Sequence, residues 1–115
     1  MRAKTLILGI VIVGGAEADE AREVRPSNDG GFVVVGSTAS RSAGSRDAWI
    51  FRIDKDGNTL WNRTLGGVDD DEASAVVPMV DGAFVVAGTE RSKGAGQEDA
   101  WVLRLNALGR LARVN

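Results

Sequence analysis

The chain has 115 residues, enough for one domain, with 43% hydrophobic and 26% charged residues and a net charge of -2. That balance excludes a disordered chain, and with no Lys/Arg cluster it argues against a nucleic-acid surface. There is no Cys, His or Tyr, so disulfides, thiolate chemistry and the commonest general base and metal ligand are absent. Any acid–base chemistry would have to run on Asp, Glu, Lys or Arg.

Residues 1–18 admit two readings. Arg2 and Lys4, the apolar run Thr5 to Val13, and Ala16-Glu17-Ala18 have the order of a short secretory signal with an A-x-A cleavage site. The run is too short to span a membrane as a helix. Alternatively it is a stray outer strand: Leu8 to Val13 precede Gly14-Gly15 as Leu60 to Leu65 precede Gly66-Gly67. Cleavage after Ala18 would place the protein outside the cytoplasm or on the cell surface; without it a cytoplasmic location is expected.

From Gly14 onward the chain repeats itself. Residues 66–115 align without a gap on residues 14–63, and roughly 21 of 50 pairs are identical. A period of this length marks a repeat architecture, with boundaries at 19–65 and 66–115. Each copy predicts four short strands. The first spans Glu20 to Pro26 and, in the copy, Glu72 to Pro78. The turns Asn28-Asp29-Gly30-Gly31 and Val80-Asp81-Gly82-Ala83 carry the Asp-Gly hairpin signal. The second strand is Phe32 to Ser37, or Phe84 to Thr89. Polar loops follow, Thr38–Arg46 and Glu90–Glu98. The third strand is Asp47 to Asp54, or Asp99 to Asn106. The turn Lys55-Asp56-Gly57-Asn58 then leads to the fourth, Thr59 to Leu65, and Gly57 falls on Gly109.

The third strand is apolar on both faces. Trp49, Phe51 and Ile53 share one face, Ala48 and Ile50 the other. One four-stranded sheet cannot bury two apolar faces, so it must be stacked between neighbours, as in a propeller blade or another sheet array. No helical periodicity of useful length separates the strands, which excludes a parallel βαβ design.

The strings GG-x3-DEA, DGG-F-VVVG-S, G-x2-DAW-x-x-R-x-D and D-x-D-G-N-x-L-W resemble the β-propeller repeats of about 50 residues found in bacterial and archaeal surface and secreted proteins. The stretch from Asp54 through Gly57 to Trp61 is similar to the tryptophan-docking motif of quinoprotein-like propellers, in which the Trp packs between adjacent blades. In the second copy Trp61 is matched by Arg113 and Asp54 by Asn106, which puts a uniform docking ring in doubt. The resemblance implies an all-β protein of two four-stranded antiparallel propeller-type blades in tandem. Since propellers close with about four to eight blades, it implies a partial propeller or a ring closed by oligomerisation. Its partners would be itself, through head-to-tail blade contacts, or flanking blades, with a glycan or protein ligand. Neither a cofactor, nor nucleic acid, nor a stable membrane span is implied. The function expected is a non-catalytic binding or scaffolding module. The alternatives are a fragment of a quinoprotein-like or glycan-active propeller enzyme and a purely structural surface-layer or adhesion repeat.

Equivalent loops on a rigid scaffold form a shared rim, so the expected ligand residues are Arg41, Ser45, Arg46, Lys93, Gln97 and Glu98, with Trp61 as the tryptophan expected to be partly exposed. Trp49 and Trp101 recur among apolar neighbours and are expected between the sheets. The acidic run Asp69-Asp70-Asp71-Glu72 offers a weak candidate site for a hard cation, with Asp69, Asp70 and Asp71 as its ligands, against a solvated loop. Asp54-Lys55-Asp56-Gly57-Asn58 has the look of a calcium loop, but its frame puts Arg52 and Arg63 at ligand positions, so it reads as a turn. Asp47 and Asp99 precede Ala-Trp in both copies. A carboxylate bonding backbone N–H groups is expected there, rather than a catalytic pair.

Overall fold

In the computed structural model, the described residues are 19–39, 46–66, 70–91 and 98–111. The signal-like segment 1–18 lies outside them. The structure is all-β, with seven strands and no helix among the described residues. The strands are β1 (Asp19–Pro26), β2 (Phe32–Thr38), β3 (Asp47–Ile53), β4 (Thr59–Leu65), β5 (Asp71–Pro78), β6 (Phe84–Arg91) and β7 (Glu98–Leu105). They form two antiparallel meanders, a four-stranded sheet β1-β2-β3-β4 and a three-stranded sheet β5-β6-β7. The expectation of two four-stranded sheets is therefore corrected for the second copy. Its fourth strand is represented by one isolated bridge, Leu105–Leu111. That bridge repeats the pairing of Ile53 with Thr59, but the positions that would extend it lie beyond the described residues.

Four turns of one design set the strand spacing. In each, a left-handed glycine is the fourth residue: Gly30, Gly57, Gly82 and Gly109, with φ from 77° to 90°. Its N–H donates to the carbonyl three residues back, on Ser27, Asp54, Met79 or Asn106. The N–H of that earlier residue donates to the carbonyl four residues on. Only glycine takes this φ without a Cβ penalty, which is why Asp-Gly or its equivalent marks all four hairpins. Side chains complete them. Asp54 Oδ1 accepts the N–H groups of Asp56 and Asn58, both at 2.9 Å. Asn106 Oδ1 does the same for Leu108 and Arg110 at 2.9 and 3.0 Å. The exchange of Asp54 for Asn106 thus conserves the one atom the turn needs, an acceptor oxygen. The calcium-like stretch is a turn.

Both faces of the first sheet are apolar, as the alternation requires. On one face Val33, Val35, Ala48, Ile50 and Trp61 pack against Ala73, Val76, Phe84, Val86 and Leu105 of the second sheet. On the other, Val34, Trp49 and Phe51 form a separate buried cluster with Ile53 against it. The Trp49 ring lies 4.7 Å from that of Phe51, and its indole N–H donates to Asn62 Oδ1 at 2.7 Å.

The junction between the sheets is built from equivalent surfaces used differently. The first sheet contributes its Ala48/Ile50 face, and the second contributes the face that corresponds to Trp49/Phe51, with Trp101 and Leu103 packed against the cluster. Polar groups are threaded through it. Arg52 donates to the Ala107 carbonyl at 2.8 Å, pairs with Asp29 at 3.0 Å, and lies over the Phe84 ring at 5.3 Å. Arg63 donates to the carbonyls of Gly109 and Leu108. Glu23 accepts the Val76 N–H at 2.7 Å, beside the bulge between Ala73 and Ala75 in β5. A buried charge at a junction is stabilising only when its donors are met. Arg52 meets this with both terminal nitrogens, while its Nε has no partner.

Asp29 carries a pH-dependent part of this stability. The Ser27 hydroxyl donates to it at 2.6 Å and the Gly31 N–H at 3.0 Å, and Arg52 is beside it. These hold its carboxyl below the ordinary value, the Ser27 bond contributing most. Asp54 is lowered in the same way, chiefly by the Asn58 N–H. A carboxylate depressed in the fold adds stability above the unfolded pKa and loses it as pH falls through the folded value. Urea midpoints are therefore expected to be flat near neutrality and to fall below about pH 4. Asp29→Asn is expected to be less stable than the parent at pH 7, with the gap closing as pH falls. A gap that stays constant would remove Asp29 from this role.

Candidate functional site

One rim of the sheet pair gathers the ends of four strands. Arg46 leads into β3, Asp70 into β5, β6 runs out to Arg91, and β7 starts at Glu98. The backbone ties these ends together. The Asp71 N–H donates to the Arg46 carbonyl at 2.8 Å, and the Arg91 N–H donates to the Asp70 carbonyl at 2.9 Å. The Asp70 carboxylate in turn accepts the Arg46 N–H at 3.0 Å. Between them lies a cleft of about 300 Å³, lined by Arg46, Asp70, Asp71, Glu72, Ser74, Thr89, Arg91 and Glu98.

The cleft is polar and carries more acid than base. Arg46 places its guanidinium on the buried Ser37 hydroxyl, with Nη2 at 2.8 Å and Nε at 3.1 Å, and reaches Glu20 at 3.5 Å. Arg91 pairs with Glu98 at 2.9 Å, and that bond raises the pKa of an arginine already charged. Both members of this pair are more than half exposed, so the contact orders the rim and adds little stability. Arg22 of β1 pairs with Glu72 at 3.2 Å. Asp71 is buried at the start of β5. A Cβ on Gly66 would crowd the carboxylates of both Asp47 and Asp71, so glycine there leaves room for two acids side by side.

Four sequence-derived candidates, Arg46, Asp70, Asp71 and Glu98, thus meet at one cleft. Arg41, Ser45, Asp69, Lys93 and Gln97 lie outside the described residues. Trp61 needs correction: it is only 9% exposed, in the core between the sheets. Its indole N–H donates to the Ala107 carbonyl at 2.9 Å, and its ring meets Phe84 edge-on and Arg63 at 5.7 Å. The sequence placed it on the margin because its repeat counterpart is Arg113. Its burial follows from the 107–109 turn, which the neighbouring sheet brings over it. Of the other lining residues, Glu72 closes the acidic run and Arg91 falls within the polar loop Glu90–Glu98, while Ser74 and Thr89 carried no signal in the sequence. Arg91 reaches the rim because β6 runs two residues past Thr89, the end read from the sequence, and pairs Arg91 with Glu98.

Among the described residues no group of three or more His, Cys, Asp or Glu side chains is arranged to hold a metal ion. Nor is any helix long and apolar enough to cross a membrane. Asp47 is half-buried beside Gly66, while Asp99 is exposed and sits across the ladder from Glu90. Compared with protein-family models and with curated proteins, the chain matches none.

Proposed function

We propose that the chain is a pair of adjoining β-propeller-type blades acting as a non-catalytic binding module, with the charged rim cleft as the docking place for a protein ligand. The observation that carries this reading is the convergence of Arg46, Asp70, Asp71 and Glu98, from loop ends and strand ends of both repeats, on one cleft. Loops held by a rigid scaffold are the usual carriers of binding. Of the two ligand classes the repeat pattern suggests, protein is favoured over glycan. Sugar sites rely on aromatic platforms, and here Trp49 and Trp61 are buried while Trp101 packs against the core. Export from the cytoplasm rests on the signal-like residues 1–18 alone.

Peptide and glycan arrays probed side by side test this. The expected result is capture on peptides and none on glycans. Arg91→Ala and Glu98→Ala, both exposed and outside the core, are each expected to weaken capture about tenfold without changing stability. Absence of capture on both arrays would leave the purely structural reading, and capture confined to glycans would reverse the choice of ligand.

A further inference from the structure

The two outer faces of the sheet pair are covered only in part, in complementary ways; on that of the first sheet Val34, Trp49 and Phe51 are buried while the positions beside them are not. At the internal junction Ile50 is fully buried, but its repeat counterpart on the outer face of the second sheet, Val102, is 70% exposed. Ala48 is buried there, and its counterpart Ala100 is exposed. The opposite surface behaves likewise. Val76 is fully buried at the junction, whereas its counterpart Val24, on the outer face of the first sheet, is 56% exposed. Phe84 and Leu105 are buried, and their counterparts Phe32 and Ile53 only half so.

We propose that these outer faces dock on one another between copies of this chain, head to tail, repeating between chains the junction seen within one. On its second and third strands the face carrying Val102 copies the pattern of the face that already binds a sheet, Val85 for Val33, Ala87 for Val35, Val102 for Ile50 and Arg104 for Arg52, while the sequence counterpart of Trp61 is Arg113. The polar fittings are copied too. Arg104 is held by Asp81 at 2.6 Å as Arg52 is by Asp29 at 3.0 Å. Arg52 also takes the Ala107 carbonyl of the adjoining sheet, and the corresponding acceptor for Arg104 is the Lys55 carbonyl of a second copy. A contact between two different faces is heterologous, so it propagates until rotation closes a ring. The proposal rests on the repeat stacking described above and not on ligand capture at the rim, which the arrays read independently.

Native mass spectrometry and light scattering on the full chain test it, with Val24→Glu and Val102→Glu as probes. Both side chains are largely exposed in the single chain, so each variant is expected to keep its strand content by circular dichroism. Val102→Thr, nearly isosteric, covers the case in which the glutamate perturbs folding, and is expected to weaken assembly at least tenfold. The wild-type chain is expected as a discrete oligomer at micromolar concentration, and each glutamate variant as a monomer. An equimolar mixture of the two variants retains one intact junction and is expected to form a dimer that grows no further. A monomeric wild type, assembly indifferent to either variant, or a mixture that stays monomeric would overturn the proposal.

Discussion

Gly88→Ala is expected to destabilise the protein by about 3 kcal/mol, at the upper end of overpacking costs. A Cβ at this position would run into the Glu72 carbonyl and the Trp101 ring at once. The carbonyl belongs to β5 next to its bulge, and the ring packs against the core between the sheets, so neither neighbour can give way alone. Gly36 is its repeat counterpart and faces the same obstacle in the Glu20 carbonyl. Gly82→Ala makes the contrast. Its nearest neighbour is the Ala107 Cβ at 3.7 Å, so space is available and only the φ of +90° resists. A loss of about 1 kcal/mol is expected there from left-handed strain. Urea titration of the two variants gives the comparison. Equal losses at positions 82 and 88 would mean that the close approach of β5 to β6 is not what requires Gly88.

Trp61→Ala is expected to cost about 4 kcal/mol, within the range for deleting a buried aromatic. The indole fills the space under the 107–109 turn, contacts Phe84 and donates to the Ala107 carbonyl. Trp61→Phe separates these contributions. It keeps the packing and loses the hydrogen bond, for which about 1 kcal/mol is expected. Arg52 still donates to the same carbonyl in that variant, which limits the loss. Trp49 and Trp101 remain as fluorescence reporters for the unfolding transitions. A cost near zero for the alanine variant would show that the sheets dock without Trp61. Gly109 supports the same geometry from the other side, since a Cβ on it would lie 2.6 Å from the Trp61 ring.

The sites follow a different logic from the fold. Arg46 and Glu98 were legible as rim residues because they close polar loops at matching places in the repeat. Asp70 and Asp71 stood out as acids, but their use was not legible. The Asp70 carboxylate accepts the Arg46 N–H, and Asp71 is buried against the first sheet's loop end, so both help join the sheets as well as line the cleft. Trp61 was misplaced for a related reason. A strand residue with no counterpart in the next repeat looks marginal in one dimension, while in space the neighbouring turn covers it.

By itself, the sequence determined the period, the strand order within each meander, the four glycine turns and the two-faced character of β3. All of these are local matters, set by alternation of side chains, by left-handed φ at Gly30, Gly57, Gly82 and Gly109, and by Asp or Asn oxygens closing their own turns. Only the tertiary structure decided which face of each sheet meets the other, that Arg52 and Trp61 share one carbonyl across the junction, and that Arg91 joins the rim. Those outcomes depend on surfaces about fifty residues apart along the chain. Alternation marks both faces of β3 as apolar, but it contains nothing that says which partner each face will meet.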